Sequence, residues 1–463
     1  MALRTSSAIA GPAATFADVI FTQFVDDDLG CASYLVGDED AGVAVVVDPP
    51  VAIEPLLVET ERRGVRLIAV LETHTHADHV SGHGRLALEL GLPVRIHPAA
   101  QVEYPNEPLE DGTEIDAGCI RLRCIHTPGH RPEHCCFAVI DRMRADEPWL
   151  VLTGDSLFVG ETARPDLAVA GAQGAEDLFH SLRRLLELPD GVEVYPGHVA
   201  GSFCGKAMSS KASTTIGFER RCNPMLSLTE LDAFIAESAS VSAPKPPNLA
   251  QIVALNHGPF TGATPPVEEL PAPPDGAQLL DVRTSRDFLS GHRAGALNVP
   301  VSGSSFATRA GFILDASAPV VILAASSEEA ERASAGLRKV AFTEIVGYVL
   351  GTGAEHSEPV AVDDLDELIA AGAELIDVRE KDERDTGYIP GSRNIPYRLL
   401  AICGADLPTD RPIVTLCESG PRAAIAASML VAKGYDARPV LDGGVASWHA
   451  KGGETVSFRR CGS

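Results

Sequence analysis

Apolar residues in the first half of the chain fall into short runs that read as strands, and several runs stop on clusters of histidine and aspartate. Residues 32–36 and 43–47, separated by the polar turn 37–42, predict a hairpin whose second strand ends at Asp48. The run 67–71 leads into Thr73-His74-Thr75-His76-Ala77-Asp78-His79. Residues 84–90 carry a helical pattern that Gly91 stops, and 93–96 returns to strand. Residues 120–125 lead into His126-Thr127-Pro128-Gly129-His130, residues 149–152 into Thr153-Gly154-Asp155, and residues 192–195 into Pro196-Gly197-His198. Four strand ends therefore carry candidate ligands, where α/β sheets deliver chemistry. Ser227 with Glu230 forms a capping-box pattern ahead of 231–235 and predicts a closing helix. The proline-rich stretch 261–276 reads as a linker, with a domain boundary near Gly262.

The second half repeats itself. Leu279-Leu280-Asp281-Val282-Arg283 recurs as Leu375-Ile376-Asp377-Val378-Arg379, and 291–300 matches 387–396. Two homologous α/β modules are expected, giving domains over 1–262, 263–357 and 358–463. In the second module a buried strand over 412–416 leads into Cys417-Glu418-Ser419-Gly420-Pro421-Arg422 and then a helix over 423–432. A cysteine at such a turn faces backbone N–H groups and a helix N-terminus, which suit a sulfur nucleophile. In the first module the same alignment puts Ala324 in place of Cys417 and Glu329 in place of Arg422. Without a thiol there is no covalent carrier, and a carboxylate repels an anionic donor. That module is expected to be silent and to serve as spacer, docking surface or dimer contact.

Composition narrows the classes. The 463 residues, 45% hydrophobic and 22% charged, allow two to four globular domains. A net charge of -26 disfavours nucleic acid and anionic membrane surfaces. No stretch has the length needed to cross a bilayer and the first residues lack a continuous apolar core, so a cytoplasmic protein is expected, as a homo-oligomer. The ten cysteines form no CxxC pair, which argues against a zinc ribbon. Among them Cys204 and Cys417 have neighbours that suggest chemistry.

Three imidazoles and a carboxylate between His74 and His79 are too many polar groups for a core unless an ion ties them together. In order and flanking residues, His74, His76, Asp78, His79, His130, Asp155 and His198 resemble the ligand set of the metallo-β-lactamase superfamily, which implies an αββα sandwich. Two arrangements stay open. Two zinc ions could be held, one by His74, His76 and His130, the other by Asp78, His79 and His198, with Asp155 bridging, as in glyoxalase II. Alternatively His74, His130 and Asp155 form a 2-His-1-carboxylate face for one Fe(II), with His76, Asp78, His79 and His198 orienting the ligands.

Residues 160–166 and 201–224 resemble the persulfide dioxygenases, a mononuclear iron branch of that superfamily. The resemblance implies one Fe(II) per chain, a low-molecular-weight persulfide and O2 as substrates, and sulfite as product. It also implies Arg164 near the iron and Cys204 beside the substrate channel. The two repeats resemble rhodanese domains. This implies sulfur transfer through Cys417 in the cradle of Glu418, Ser419 and Gly420, with Arg422 holding thiosulfate or sulfite. The expected fold class is α/β, an αββα sandwich followed by two α/β rhodanese domains. The expected function is persulfide oxidation coupled to thiosulfate formation in sulfide detoxification. The alternatives are a dinuclear zinc thioester hydrolase and a non-enzymatic sulfur-carrier scaffold.

Overall fold

The computed structural model describes residues 19–166, 168–199, 211–239, 245, 247–403 and 406–458. Its N-terminal domain has two six-stranded sheets. One runs in the order Val19–Val25, Ala32–Asp38, Val43–Val47, Arg66–Leu71, Val94–Ile96, Glu107–Pro108. The other runs Thr214–Thr215, Glu193–Pro196, Leu150–Gly154, Cys135–Asp141, Ile120–His126, Glu114–Ala117. The predicted hairpin is present, with Tyr34 opposite Val47 and Val36 opposite Val45.

Central strands are apolar on both faces because both faces are covered. Val45 and Val47 point between the sheets with Tyr34, Leu71, Leu122 and Phe137. Leu35, Val46 and Val70 point outward with Leu56 and Leu86 of the helices Glu54–Arg63 and His83–Leu90. On the opposite outer face Val151 and Val194 meet Leu178 and Leu182 of the helix Gly171–Leu185. Each such side chain contributes about 1.5–3 kcal/mol relative to exposure. Burial on both faces of each strand thus fixes the layers in the order helix, sheet, sheet, helix, as expected.

One local prediction fails. The helix Leu231–Ala239 starts after Glu230, and the Ser227 hydroxyl donates to the Pro224 carbonyl at 2.6 Å. Ser227 ends the 3-10 turn Met225–Ser227 and no capping box forms.

The two repeats each form a four-stranded parallel sheet: Leu297–Asn298, Gln278–Asp281, Val320–Ala324, Ile345–Leu350, and Arg393–Asn394, Glu374–Asp377, Ile413–Leu416, Ala437–Pro439. The repeated Asp-x-Arg is a staple in both. Arg283 bonds Asp281 and the Gly291 carbonyl, and Arg379 bonds Asp377 and the Gly387 carbonyl. Asn298 and Asn394 each donate to two carbonyls of the same strand end. These residues hold the strand end in both copies.

The domains touch closely. The Val80 amide donates to the Lys339 carbonyl at 2.7 Å, and the Lys339 ammonium pairs with Asp26 at 2.6 Å. Asp28 accepts from the Phe306 and Ala307 amides at the start of the helix Phe306–Ile313. The middle and C-terminal domains share one apolar core, which includes Ala307, Ala310, Ile395 and Tyr397. Among the described residues no helix is long and apolar enough to cross a membrane.

Candidate metal centre and cysteine loop

The strands Arg66–Leu71, Ile120–His126, Leu150–Gly154 and Glu193–Pro196 deliver the seven predicted residues to one end of the sandwich. The structure divides them. His74, His130 and Asp155 are fully buried and offer three ligand atoms within 4.8 Å of one another. Cys31, Asp78, His79 and His198 form a second group, and Asp48, Glu72 and His76 a third.

Hydrogen bonds fix which atoms of the first group remain free. The Thr73 amide and hydroxyl both donate to Asp48, at 2.7 and 2.8 Å. The hydroxyl proton is thereby committed, so His74 Nδ1–H must donate to Thr73 Oγ1 at 2.8 Å. His74 Nε2 then carries a lone pair, is buried and has no partner. His130 Nδ1 lies 3.1 Å from the Arg164 carbonyl, which can only accept, so His130 Nε2 is also a lone pair, 3.6 Å from Asp155 Oδ2. Asp155 Oδ1 is bonded to His198 Nδ1 at 2.7 Å, while Asp155 Oδ2 is buried and unpartnered. Two imidazole nitrogens and one carboxylate oxygen, each stripped of competing partners, fit a divalent first-row ion. Burial and neighbouring imidazoles hold His74 well below the ordinary histidine value, and burial lowers His130 despite Asp155, so both remain neutral donors.

The remaining histidines are occupied by carboxylates. His198 spans Asp155 and Asp78, its Nε2 2.6 Å from Asp78 Oδ2. His79 Nδ1 lies 3.1 Å from Asp78 and 3.3 Å from the Cys31 sulfur. His76 Nε2 lies 3.3 Å from Asp48 and 3.2 Å from Glu72. Burial works against a charge there, but Asp48 and Glu72 outweigh it and hold His76 up at about 10. The structure thus groups His76 with Asp48 and Glu72 rather than with His74 and His130.

Several members of this site were not singled out in the sequence. His134 accepts the Asp155 amide on Nε2 at 3.0 Å and donates from Nδ1 to Thr127 at 2.9 Å. Burial lowers it to about 3, consistent with a neutral ring. Gly154, at φ 46°, permits this, because a Cβ would sit 2.7 Å from His134 Nε2. Asn256, on the helix Leu249–His257, accepts the Ser81 amide and donates to the carbonyls of His76 and His79, bracing the histidine loop. Asp48 sits at φ 49°, a left-handed conformation uncommon outside glycine, held by its bonds to Thr73. Arg164 is buried; its carbonyl orients His130 and its guanidinium forks onto Asp166 at 2.7 and 2.8 Å. Cys204 lies outside the described residues.

In the C-terminal domain Cys417 follows the strand Ile413–Leu416 and is 1% exposed. Its sulfur accepts the Gly420 amide at 3.1 Å, just ahead of the helix Pro421–Val431. Gly420 has φ 106°, and a Cβ there would overlap the Leu441 carbonyl oxygen, so the loop demands glycine. Glu418 turns away to pair with Arg379 at 3.1 Å, and Ser419 is exposed. Arg422 forks onto Glu383 at 2.6 and 2.7 Å. In the middle domain Leu323 pairs with Asp281 as Leu416 pairs with Asp377, so Ala324 occupies the cysteine position. There Glu329 accepts the Ala325 amide at 2.9 Å, which closes the loop on itself.

Residues 26–198 match the metallo-beta-lactamase superfamily, and residues 361–451 match the rhodanese-like domain. The chain is 30% identical to the mitochondrial persulfide dioxygenase of Bos taurus over 253 residues, which are 52% of this chain and 88% of the relative. The chain belongs to the metallo-beta-lactamase superfamily.

It joins that fold to a C-terminal rhodanese-like domain, as in dioxygenase/rhodanese fusions. A metallo-beta-lactamase of Staphylococcus aureus subsp. aureus COL is 27% identical, with a TM-score of 0.67 over 72% of this chain and 99% of that one. A probable polyketide biosynthesis zinc-dependent hydrolase of Bacillus velezensis is 31% identical over 194 residues, 40% of this chain and 80% of the relative. Superfamily membership therefore comes with relatives named for oxidation and for hydrolysis, and the side chains must carry the choice.

Proposed function

We propose that this protein is an Fe(II) persulfide dioxygenase joined to a working sulfurtransferase. The observation that carries the reading is the trio His74 Nε2, His130 Nε2 and Asp155 Oδ2, buried and within 4.8 Å of one another, with His74 Nε2 and Asp155 Oδ2 unpartnered, while His79 and His198 are bonded to Asp78 and His76 lies against Asp48 and Glu72. His74, His130 and Asp155 would hold the ion on one face and leave the rest of its coordination open. Bound Fe(II) supplies the redox chemistry by which one O2 takes four electrons from the outer sulfur of a persulfide, so that RSSH, O2 and H2O give RSH and sulfite. Thr73 and the Arg164 carbonyl lock the two ring tautomers, and His198 orients Asp155. The likeness to a persulfide dioxygenase over half the chain supports the same substrate class.

At the second site Cys417 attacks the outer sulfur of another persulfide, the S–S bond breaks, and RSH leaves. Sulfite then takes the sulfur from the Cys417 persulfide, giving thiosulfate and the free thiol. The product of one domain is thus the acceptor in the other. Glu418 and Ser419 flank the loop, and Gly420 donates its amide to the sulfur.

Oxygen uptake with glutathione persulfide, followed by separation of sulfite from thiosulfate, tests both halves. Wild-type protein is expected to consume O2 and yield thiosulfate; Cys417→Ser is expected to consume O2 at the same rate and accumulate sulfite. Wild-type yields of thiosulfate from Cys417→Ser would end the coupling.

The second cluster of Cys31, Asp78, His79 and His198, together with the similarity to a zinc-dependent hydrolase, favours a two-zinc thioester hydrolase as the other reading. It would require Asp78 and His198 to give up their mutual bond. Hydrolysis of S-lactoylglutathione without oxygen uptake would select it.

A further inference from the structure

The middle domain was expected to serve as spacer, docking surface or dimer contact, and its helix Phe306–Ile313 touches both other domains. Asp28 of the N-terminal domain caps the helix start, accepting from Phe306 and Ala307 at 2.5 and 2.8 Å. Phe312, near the helix end, meets Tyr397 of the C-terminal domain edge-on at 6.3 Å between centroids. Between them Arg309 reaches the Cys417 loop. It lines a cavity of about 460 Å³ together with Tyr397, Ser419, Pro421 and Arg422. It also lines a neighbouring cavity of about 340 Å³ with Ser302, Ser419 and Gly420.

The charges around this loop are unequal. Arg422 is forked onto Glu383, Arg398 is forked onto Glu380 at 2.8 and 2.9 Å, and Arg379 bonds Asp377 and Glu418. Each of these cations already has a carboxylate. Arg309 has none in direct contact: among the described residues its guanidinium makes no hydrogen bond or ion pair, and the Asp28 carboxylate acts on it only through space. A half-buried, unneutralised guanidinium at the mouth of a cysteine loop is costly unless an anion visits it, and its planar fork suits an oxyanion. Burial depresses its proton affinity, while Tyr397, Cys417 and Asp28 favour its charge and Arg422 opposes it.

We infer that the middle domain is half of the sulfur-transfer site, with Arg309 as the positioning residue that holds a sulfur oxyanion, sulfite or thiosulfate, against Cys417. This rests on the sulfurtransferase reading for the identity of the anion but not for its existence. It accounts for why a domain without a thiol is retained against the active loop: losing Cys at Ala324 removed one reaction centre and left a wall of the other.

The test uses the full-length protein and does not need turnover. Sulfite does not react with a free thiol, so it can be titrated as a protector of Cys417 against iodoacetamide, with the Cys417 peptide followed by mass spectrometry. Wild-type protein is expected to be protected. Arg309→Gln is expected to need about tenfold more sulfite for half-protection, the loss of one charge-assisted bond. Arg309→Lys is expected to recover part of that loss, each half-protection being referred to that variant's own sulfite-free alkylation rate, which a merely structural role would not give. Arg309→Met, which keeps the aliphatic stem, replaces the Gln variant should that one fail to fold. Unprotected wild-type Cys417, or equal half-protection in wild type and Arg309→Gln, would overturn the inference. Protection in a wild-type protein that makes no thiosulfate would sink the sulfurtransferase reading and leave the anion site standing.

Discussion

Replacing Thr73 by valine removes one oxygen at nearly constant volume and isolates the role of tautomer locking. In the native site Thr73 Oγ1 donates to Asp48 and accepts from His74 Nδ1–H, each at 2.8 Å, in a fully buried setting. The variant leaves the His74 N–H without an acceptor and takes one donor from Asp48, a loss of about 1–3 kcal/mol. For a domain of this size that lowers the melting temperature by roughly 2–4 °C per kcal/mol. The imidazole is also free to put its proton on Nε2, the atom that faces Asp155 and His130, so metal affinity should fall about 10–100-fold. That range is equivalent to about 1.4–2.7 kcal/mol, in line with the hydrogen-bond figure. Chelator competition against Fe(II) measures the affinity, and scanning calorimetry the stability. Oxygen uptake at saturating iron should return close to wild type, because no group near the substrate has changed. Wild-type affinity in Thr73→Val would refute the claim that Thr73 fixes the ligand atom.

Other consequences can be checked singly. Gly420→Ala should abolish sulfur transfer and leave oxygen uptake intact, since the added Cβ overlaps the Leu441 carbonyl only at the cysteine loop; unchanged thiosulfate formation would show that the loop tolerates it. Glu383→Gln should free Arg422 and lower the KM for sulfite, whereas an unchanged KM would mean that Arg422 does not meet the acceptor. Burial works to raise the Asp26 carboxyl, but Lys339 outweighs it and holds the group below its ordinary value of 3.8. Its contribution to the domain contact is therefore complete above that value and disappears as pH falls through the depressed one. Asp26→Asn should be less stable than wild type near neutrality and indistinguishable from it in strong acid; a stability gap that persists there would contradict the pairing.

Much of this was legible in the sequence because strand ends are loud signals. An apolar run that stops on His or Asp marks both a buried strand and the place where its chain turns to solvent or ligand, which located His74, His130, Asp155 and His198. The sequence left two groupings of the seven open and could not choose between them. The contacts that separate them involve Asp48, from another strand, and Glu72 and His134, which stand near the histidine clusters in sequence but are ordinary in their local pattern. The strand Cys135–Asp141 and the helix Gly171–Leu185 are absent from the predicted elements. The first follows its neighbour only after the segment 127–134 that carries His130, and the second begins Gly-Ala-Gln-Gly, whose two glycines are poor helix formers that tertiary packing of Leu178 and Leu182 overrides. The capping box fails because the helix begins at Leu231, four residues after Ser227. Ala324 marked the middle domain as a silent module, a spacer, docking surface or dimer contact, and only the packing of its Phe306–Ile313 helix shows which residues it brings to the Cys417 loop.

The central claim, one redox ion on His74, His130 and Asp155, is tested most directly by elemental analysis of protein expressed without added metal, paired with oxygen uptake on glutathione persulfide. The account predicts about one iron per chain, lost in His74→Ala together with oxygen uptake. Two zinc ions per chain, with thioester hydrolysis and no consumption of oxygen, would contradict it.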